Sequence, residues 1–164
     1  MKKIKLTRGR FALVDDEDFE KVSKYKWQCS PSSYASSANF INSKKKRKFP
    51  GIDKISIFLH RFIFDEYKKE NLYVDHIDGN PLNNQKFNLR YATNQQNQAN
   101  SKISKNNKSG YKGVCWDKVN KKWIAQIMIN GKSIKIGRFK SKEEAYKQYC
   151  QKGRELFREF FKDK

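Results

Sequence analysis

Residues 74–100 read VDHIDGNPLNNQKFNLRYATNQQNQAN, and this stretch decides the fold of the central part of the chain. Its pattern predicts a strand over 73–77, a turn over 78–81, a second strand over 89–92 and a helix capped by Thr93. Asn is indifferent in helices and disfavoured in strands, so a run this rich in Asn is poor material for a hydrophobic core. Asn side chains instead hydrogen-bond loops and ligate hard cations through the amide oxygen. The stretch therefore indicates a site rather than a core.

Asp75, His76 and Asn97 carry the chemistry that this arrangement allows. The Asp75 carboxylate and the Asn97 amide would supply two oxygen ligands and leave positions open for water and phosphate. Mg²⁺ is held in this way, by few protein ligands and a substrate phosphate. His76, neutral at pH 7, could take a proton from the attacking water. Because Asp75 and His76 are adjacent, a regular strand would point them to opposite faces, and the Asp-Gly that follows could supply the necessary bend.

The order Asp75-His76, Asn88 and Asn97 resembles the HNH nuclease family, whose ββα-metal fold has similar spacing. The upstream phrase at 59–61 and the run DHIDGN resemble its homing-type branch in phages and introns. The resemblance implies that His76 is the general base and that Asp75 and Asn97 hold Mg²⁺ or Mn²⁺. It also implies that Asn88 braces the loop against the histidine.

A plainer interpretation of these residues stays open, because Asp-His is usually a surface pair and Asn-rich runs are usually loops. Against it, the chain has only two histidines, and one of them follows Asp inside this pattern. The other, His60, lies among apolar residues, which favours a buried, hydrogen-bonded histidine over a ligand. The remaining asparagines are interpreted as turn residues, caps or phosphate contacts: Asn83, Asn84, Asn94 and Asn100.

Composition indicates a nucleic-acid partner. The 164 residues carry a formal net charge of +20, which predicts a polyanion, since each phosphate contact releases counterions. Duplex DNA is favoured over a membrane, because the sequence has no apolar run long enough to span and no signal-peptide pattern. The cysteines are Cys29, Cys115 and Cys150; without a C-x-x-C pair they predict neither structural zinc nor disulfides, and they suit a reducing cytoplasm.

Residues 1–54 are expected to form a small β-rich module. Residues 1–14 alternate basic and apolar residues, as in a hairpin with Gly9 at the bend. The acidic run at 15–18 begins a short helix that ends near Tyr25. A second β region follows from Trp27 and returns over 34–41, and a Lys-rich loop spans 43–48. Residues 55–67 are predicted to form an amphipathic helix that carries His60 toward the motif.

A polar, basic linker over 101–108 separates a second region, residues 109–164. Strands are predicted over 111–116, 123–129 and 133–139, with Asn130-Gly131 as a hairpin turn. Ser141 and Glu144 form a capping box for a helix to about Phe161. Gly153 inside that helix suggests close packing on the sheet.

The sequence SGYKGV at 109–114, with KWIAQI at 122–127, GRF at 137–139 and EEA at 143–145, resembles the APETALA/ethylene-response-factor DNA-binding domain. The resemblance implies a three-stranded sheet packed on one helix and binding to the major groove through the sheet. Plant members commonly hold DNA-contacting arginines where this chain has Cys115, Asp117 and Met128, so no target site transfers. Trp123 could equally be a core aromatic. The predicted DNA-binding residues are Lys112, Trp116, Lys122, Trp123, Gln126, Lys135 and Arg138.

These observations predict an α+β chain: a β module over 1–54, an HNH nuclease unit over 55–100, a linker, and a sheet-and-helix DNA-binding domain over 109–164. The expected function is a metal-dependent DNA endonuclease of homing type, of phage or bacterial origin, acting as a monomer or weak dimer in the bacterial cytoplasm. The alternative is a non-catalytic, sequence-specific DNA-binding regulator with a relic nuclease fold. An RNA-binding module is a third hypothesis.

Overall fold

The computed structural model describes residues 1–40, 55–64 and 71–163. The chain forms two compact units, a first unit Met1–Tyr91 and a second unit Ala92–Lys164. Each unit has its own hydrophobic core of buried residues. The mixture of small sheets and short helices confirms the predicted α+β class. The predicted Lys-rich loop at 43–48 lies outside the described residues.

The first unit opens with the predicted hairpin. Strands β1 (Lys2–Lys5) and β2 (Phe11–Val14) pair antiparallel, with a 3-10 turn at Thr7–Gly9 between them. Helix α1 (Asp16–Ser23) follows, with acidic side chains in its first turn, where the helix dipole favours negative charge. Apolar side chains from these elements enter the first core.

A three-stranded sheet follows, in the order β3-β4-β5, built from β3 (Gln28–Cys29), β4 (Ala35–Phe40) and β5 (Ile55–Phe58). The predicted helix from Ile55 was wrong at its start, because Ile55–Phe58 is a strand and helix α2 spans Leu59–Phe64. The segment Ile-Ser-Ile-Phe alternates with a period of two and is rich in β-branched and aromatic residues. Pairing with β4 therefore overrides the helical pattern.

The predicted strand, loop, strand and helix are confirmed in the central stretch. Strands β6 (Tyr73–His76) and β7 (Leu89–Ala92) form a two-stranded sheet, and helix α3 spans Asn94–Asn100. Thr93 caps α3: its side chain accepts from the Gln96 backbone N–H at 3.2 Å, and Gln96 Oε1 accepts from the Thr93 N–H at 2.8 Å. This capping box satisfies two backbone donors that a helix start leaves free.

In the second unit, β8 (Val114–Asp117), β9 (Lys122–Ile129) and β10 (Lys132–Phe139) form an antiparallel sheet in the order β10-β9-β8. Asn130 and Gly131 join β9 to β10 with positive φ angles of 50° and 76°, as a type I′ hairpin turn requires. Helix α4 (Lys142–Phe157) covers one face of the sheet, and Ser141 Oγ accepts from the Glu144 N–H at 3.1 Å.

Two details of the second unit differ from expectation. Helix α4 ends at Phe157 rather than near Phe161, and a 3-10 turn, Arg158–Phe160, follows it. The close packing at Gly153 is not with the sheet, because a Cβ there would collide with the ring of Phe161. The chain after α4 folds back onto the helix, and Gly153 makes room for it. Helix α3 also belongs to this unit, since Ala99 lies in its core.

Candidate active site and nucleic-acid interface

Strand β6 places Asp75 and His76 in the interior of the first unit, where they are 5% and 4% exposed. Asp75 Oδ2 accepts hydrogen bonds from Nε and Nη2 of Arg90 on β7, each at 3.0 Å. This buried, two-pronged ion pair fixes the carboxylate across the two-stranded sheet. Arg90 is not among the predicted site residues; its signal in the sequence is an opposite charge on the predicted partner strand.

His76 sits in an aromatic environment. Its ring centroid lies 5.0 Å from that of His60 and 5.8 Å from that of Tyr34. Burial lowers the pKa of His76 below 6.5, although Asn84 and the nearby carboxylates act in the opposite direction. The imidazole is therefore neutral at pH 7 and able to accept a proton. Burial also raises the pKa of Tyr34, and the Asp75 charge adds to this effect, so the phenol stays protonated.

Asn84 sets which ring nitrogen of His76 carries the proton. Asn84 is 0% exposed, and its Oδ1 lies 3.3 Å from Nε2 of His76. An amide oxygen only accepts, so in the neutral ring Nε2 carries the proton and Nδ1 keeps the basic lone pair. The Asn84 N–H donates to the Leu13 carbonyl at 2.9 Å, and the Leu13 N–H donates to the Leu82 carbonyl at 2.8 Å. Strand β2 thus holds the segment that orients His76. The sequence alone does not indicate this role for Asn84.

Asn88 ties together the loop between β6 and β7. Its Oδ1 accepts from the Asp78 N–H at 3.0 Å, and its Nδ2 donates to Asp78 Oδ1 at 3.0 Å and to the Asn83 carbonyl at 2.8 Å. The Asn88 carbonyl also accepts from the Ile77 N–H at 2.8 Å. Asn88 is buried at the end of the loop that follows His76 and contacts the start and the middle of that loop. These contacts suit the bracing role that the family resemblance implies.

The acidic run at the start of α1 holds the same loop from the outside. Asp15 accepts from the Lys86 N–H at 2.7 Å and from Gln85 Nε2 at 3.0 Å. Lys86 Nζ lies 2.6 Å from Glu17 Oε1 and 3.3 Å from Asp18 Oδ2. The hydrogen bond to Glu17 is the main reason that the pKa of Lys86 is raised. The N-terminal module therefore supports the site directly, whereas the sequence had suggested only a helix start.

His60 packs beside His76. It is 6% exposed, stacks on Phe58 at an interplanar angle of 12°, and meets His76 edge to face. Its Nδ1 is buried and has no hydrogen-bond partner among the described residues. Burial lowers the pKa of His60 to about 3, so the ring is neutral at pH 7. The burial agrees with the prediction for His60, but the described residues supply no hydrogen bond to its Nδ1, although the prediction was of a hydrogen-bonded histidine.

The predicted metal ligands supply hard oxygen donors. Asp75 offers a carboxylate next to the general-base candidate, and Asn97 lies half-buried on α3 in the second unit. Over residues 1–40, 55–64 and 71–163, no group of three or more His, Cys, Asp or Glu side chains is placed to hold a metal. This donor set fits a divalent cation that takes few protein ligands and completes its shell with water and phosphate. It does not fit a closed structural zinc site.

The face of the sheet opposite α4 carries much of the predicted DNA-binding set. On β9, Ala125 and Ile127 are buried toward α4, whereas the alternate residue Gln126 is exposed on the other face. Lys135 lies opposite Gln126, and Arg138 lies opposite Ile124. The predicted contacts on this open face are Lys122, Gln126, Lys135 and Arg138.

The other predicted DNA contacts have different surroundings. Trp123 packs against the second core, which is the alternative that the sequence left open. Trp116 lies directly opposite Trp123, with ring centroids 5.0 Å apart, and is 46% exposed. Lys112 Nζ donates to the carbonyls of Gln98, Ala99 and Ser101 at 3.0, 2.7 and 2.7 Å. Lys112 thus caps the C-terminal end of α3, and burial lowers its pKa to about 8.

Comparison with known proteins agrees with this geometry. An HNH endonuclease family model matches residues 58–99, and an AP2 domain model matches residues 109–156. An uncharacterized HNH endonuclease of Acanthamoeba polyphaga mimivirus is 33% identical over 153 residues, covering 93% of this chain and 74% of that protein. Protein 3.8 of Escherichia phage T7 is 47% identical over 60 residues, covering 37% of this chain and 50% of that protein. No solved structure matches.

In the parts of the chain that the structure describes, no helix is long and apolar enough to cross a membrane. The matched families assign DNA as the partner and phosphodiester cleavage as the activity. The chain belongs to the HNH endonuclease family and joins its nuclease motif to an AP2-type DNA-binding domain.

Proposed function

We propose that this endonuclease is metal-dependent, that it hydrolyses DNA phosphodiesters with His76 as general base, and that it is of the homing type. The observation that carries the proposal is the buried, neutral His76, whose Nε2 faces Asn84 Oδ1 at 3.3 Å. In the tautomer that this contact favours, Nδ1 is the basic nitrogen, and we assign it as the proton acceptor for the attacking water. The proton on Nε2 then has a fixed acceptor, so the ring keeps its orientation when Nδ1 becomes protonated.

Asp75 and Asn97 would hold the divalent ion, for which we propose Mg²⁺ or Mn²⁺. Such an ion, when bound, stabilises the charge that develops on the phosphate and the leaving oxygen. Arg90 keeps the Asp75 carboxylate in one orientation, and Asn88 keeps the adjacent loop closed on itself. The protein's own contribution is thus a rigid site.

DNA would lie along the open face of the second unit's sheet. Lysines on this face suit phosphates, whereas glutamine and arginine suit base edges. The proposed contacts on this face are Lys122, Gln126, Lys135 and Arg138. Trp116 pairs with Trp123 on the other face of the sheet, so any DNA contact that it makes lies at the edge of the sheet. The surroundings of Lys112 and Trp123 favour structural roles for these two residues. A single nuclease motif predicts a monomer or weak dimer that nicks one strand per visit.

A phage-encoded protein acting in the cytoplasm of a bacterial host is the biology we propose. One of the relatives comes from a giant virus and another from a bacteriophage. Duplex DNA in that compartment is within reach of such an enzyme.

Supercoiled plasmid tests the mechanism. The full chain, its His76→Ala variant and a matched Ile77→Ala control are incubated with Mg²⁺, with Mn²⁺ and with EDTA. The neighbouring Ile77 side chain is 43% exposed, so its loss should leave the site intact. We expect open circles from the wild type and the control with metal only, and none from His76→Ala.

Linear product would indicate a dimer or two coordinated cuts. Cleavage that survives the loss of His76 would refute the proposed base. Intact duplex binding without cleavage under either metal would instead favour the relic-nuclease alternative.

A further inference from the structure

Arg138 is the arginine that the geometry singles out on the open face of the sheet. It extends from β10, and its Nε donates to Oδ2 of Asp117 on β8 at 2.9 Å. The hydrogen bond passes over β9, the middle strand, whose Ile124 lies opposite Arg138. The guanidinium is therefore held over the centre of the face instead of extending freely into solvent.

Asp117 is itself fixed in place. Its Oδ1 accepts from the backbone N–H groups of Val119 and Asn120, each at 3.1 Å. Its Oδ2 also accepts from Asn120 Nδ2 at 2.8 Å. The hydrogen bond from Arg138 is the first cause of the lowered pKa of Asp117, so the carboxylate is charged at pH 7. Arg138 is thus anchored to a charged group that the β8–β9 turn holds rigidly.

This arrangement leaves the outer end of the guanidinium for a ligand. Arginine has five N–H donors in a planar fork, and the bond to Asp117 uses the one on Nε. The terminal Nη groups point two parallel donors along the fork, which matches the O6 and N7 acceptors of guanine in the major groove. A lysine such as Lys135 on the same face offers only a point charge, which suits a phosphate.

We propose that Arg138, oriented by Asp117, reads a guanine in the DNA target and is a main source of sequence specificity in the second unit. Asp117 is a positioning residue, and Arg138 makes the base contact. The proposal deepens the DNA-binding part of the proposed function. It is independent of the nuclease site, because it concerns binding and is tested without cleavage.

The test is selection of binding sites from a random duplex library by the full chain in EDTA, which prevents cleavage by a metal-dependent nuclease. We expect the wild type to enrich a motif with a fixed guanine. Arg138→Ala should lose the preference at that one position and keep the others. Binding of the selected duplex should weaken by about 5- to 150-fold, the range for a good bidentate base contact, and binding of a scrambled duplex should change little.

Two further variants separate base reading from charge. Arg138→Lys keeps the charge but not the fork, so it should bind the scrambled duplex normally and still lack the guanine preference. Asp117→Asn removes the charged anchor, so the preference should become weaker without moving to another base. Lys135→Ala is the phosphate control: it should weaken both duplexes alike and lower the salt slope by about one.

Several results would overturn the proposal. Equal weakening of selected and scrambled duplexes by Arg138→Ala would make Arg138 a phosphate contact. Unchanged specificity in both the Arg138→Ala and Asp117→Asn variants, with a lower melting temperature, would make the pair a cross-strand ion pair only. Failure of the wild type to enrich any guanine would also refute it. None of these results depends on whether plasmid nicking succeeds, so the two proposals fail separately.

Discussion

Replacing Asn88 with alanine removes three hydrogen bonds from the loop between β6 and β7. The bonds join Asn88 to the Asp78 backbone, the Asp78 carboxylate and the Asn83 carbonyl, at 2.8–3.0 Å. One intramolecular hydrogen bond contributes about 1 kcal/mol net, so we expect the free energy of unfolding to fall by about 2–3 kcal/mol. Urea unfolding followed by circular dichroism measures this loss, provided that the slope with urea is unchanged.

Asn83→Ala is the matched control for this prediction. It removes one side-chain hydrogen bond, from Asn83 Nδ2 to Asp78 Oδ2 at 2.8 Å, and keeps the carbonyl that Asn88 uses. The Asn83 Oδ1 is buried and has no hydrogen-bond partner in the part of the chain that the structure describes, so the substitution also removes an unfavourable group. We therefore expect a loss of about 1 kcal/mol or less from the control.

Plasmid nicking by Asn88→Ala should fall together with stability, because the loosened loop also carries Asn84. A stabilising osmolyte such as trimethylamine N-oxide should restore part of the activity, since the defect is loss of order. If Asn88→Ala kept wild-type stability but lost nicking, Asn88 would act directly on the substrate, and the bracing role would be refuted. Equal destabilisation by both variants would also contradict the magnitude derived from the hydrogen bonds.

Three other perturbations test separate parts of the fold. Arg90→Ala leaves the buried Asp75 carboxylate without its ion pair and should cost about 3 kcal/mol in a urea titration, part of which the added Asp75→Asn change should restore. Burial lowers the pKa of His60 from 6.5 to about 3, so below pH 6.5 the unfolded chain binds a proton that the folded chain excludes. In the wild type, the contribution of this group to the free energy of unfolding should therefore fall by about 1.4 kcal/mol per pH unit between pH 6.5 and pH 3. Urea unfolding at pH 7 and at pH 5 should show a smaller loss of stability in His60→Phe than in the wild type. Lys112→Met removes the donors that cap α3, so amide hydrogen exchange in that helix should become faster. The dependence of DNA affinity on salt concentration should stay unchanged. A weaker salt dependence would mean that Lys112 contacts a phosphate.

Local chemistry explains what the sequence could predict. The strand, loop, strand and helix of the nuclease motif follow from turn residues and from the Thr93 capping box, each decided within a few positions. The Asn130-Gly131 hairpin follows for the same reason. The start of α2 was missed because a short apolar run such as 55–58 fits both periods, and pairing with a distant strand chose between them.

The site's supporting contacts were out of reach for a different reason. Asp15 and Lys86 are separated by 71 positions, and nothing in either residue type names its partner. Asn84 looked like its neighbour Asn83, yet burial and the orientation toward His76 distinguish them. The packing of Gly153 against Phe161 depends on the chain reversing after α4, which no local pattern specified.

The first residues of the chain contact the nuclease loop, so the nuclease motif cannot be moved into another protein without them. The HNH family model begins at residue 58, but Leu13, Asp15 and Glu17 hydrogen-bond to the segment 82–86 inside it. A fragment that begins at residue 58 would lose these partners and would expose the apolar surface that β2 and α1 cover. A fusion of this nuclease to another DNA-binding domain should therefore include the chain from residue 1, because the hairpin and α1 are part of the folded nuclease unit.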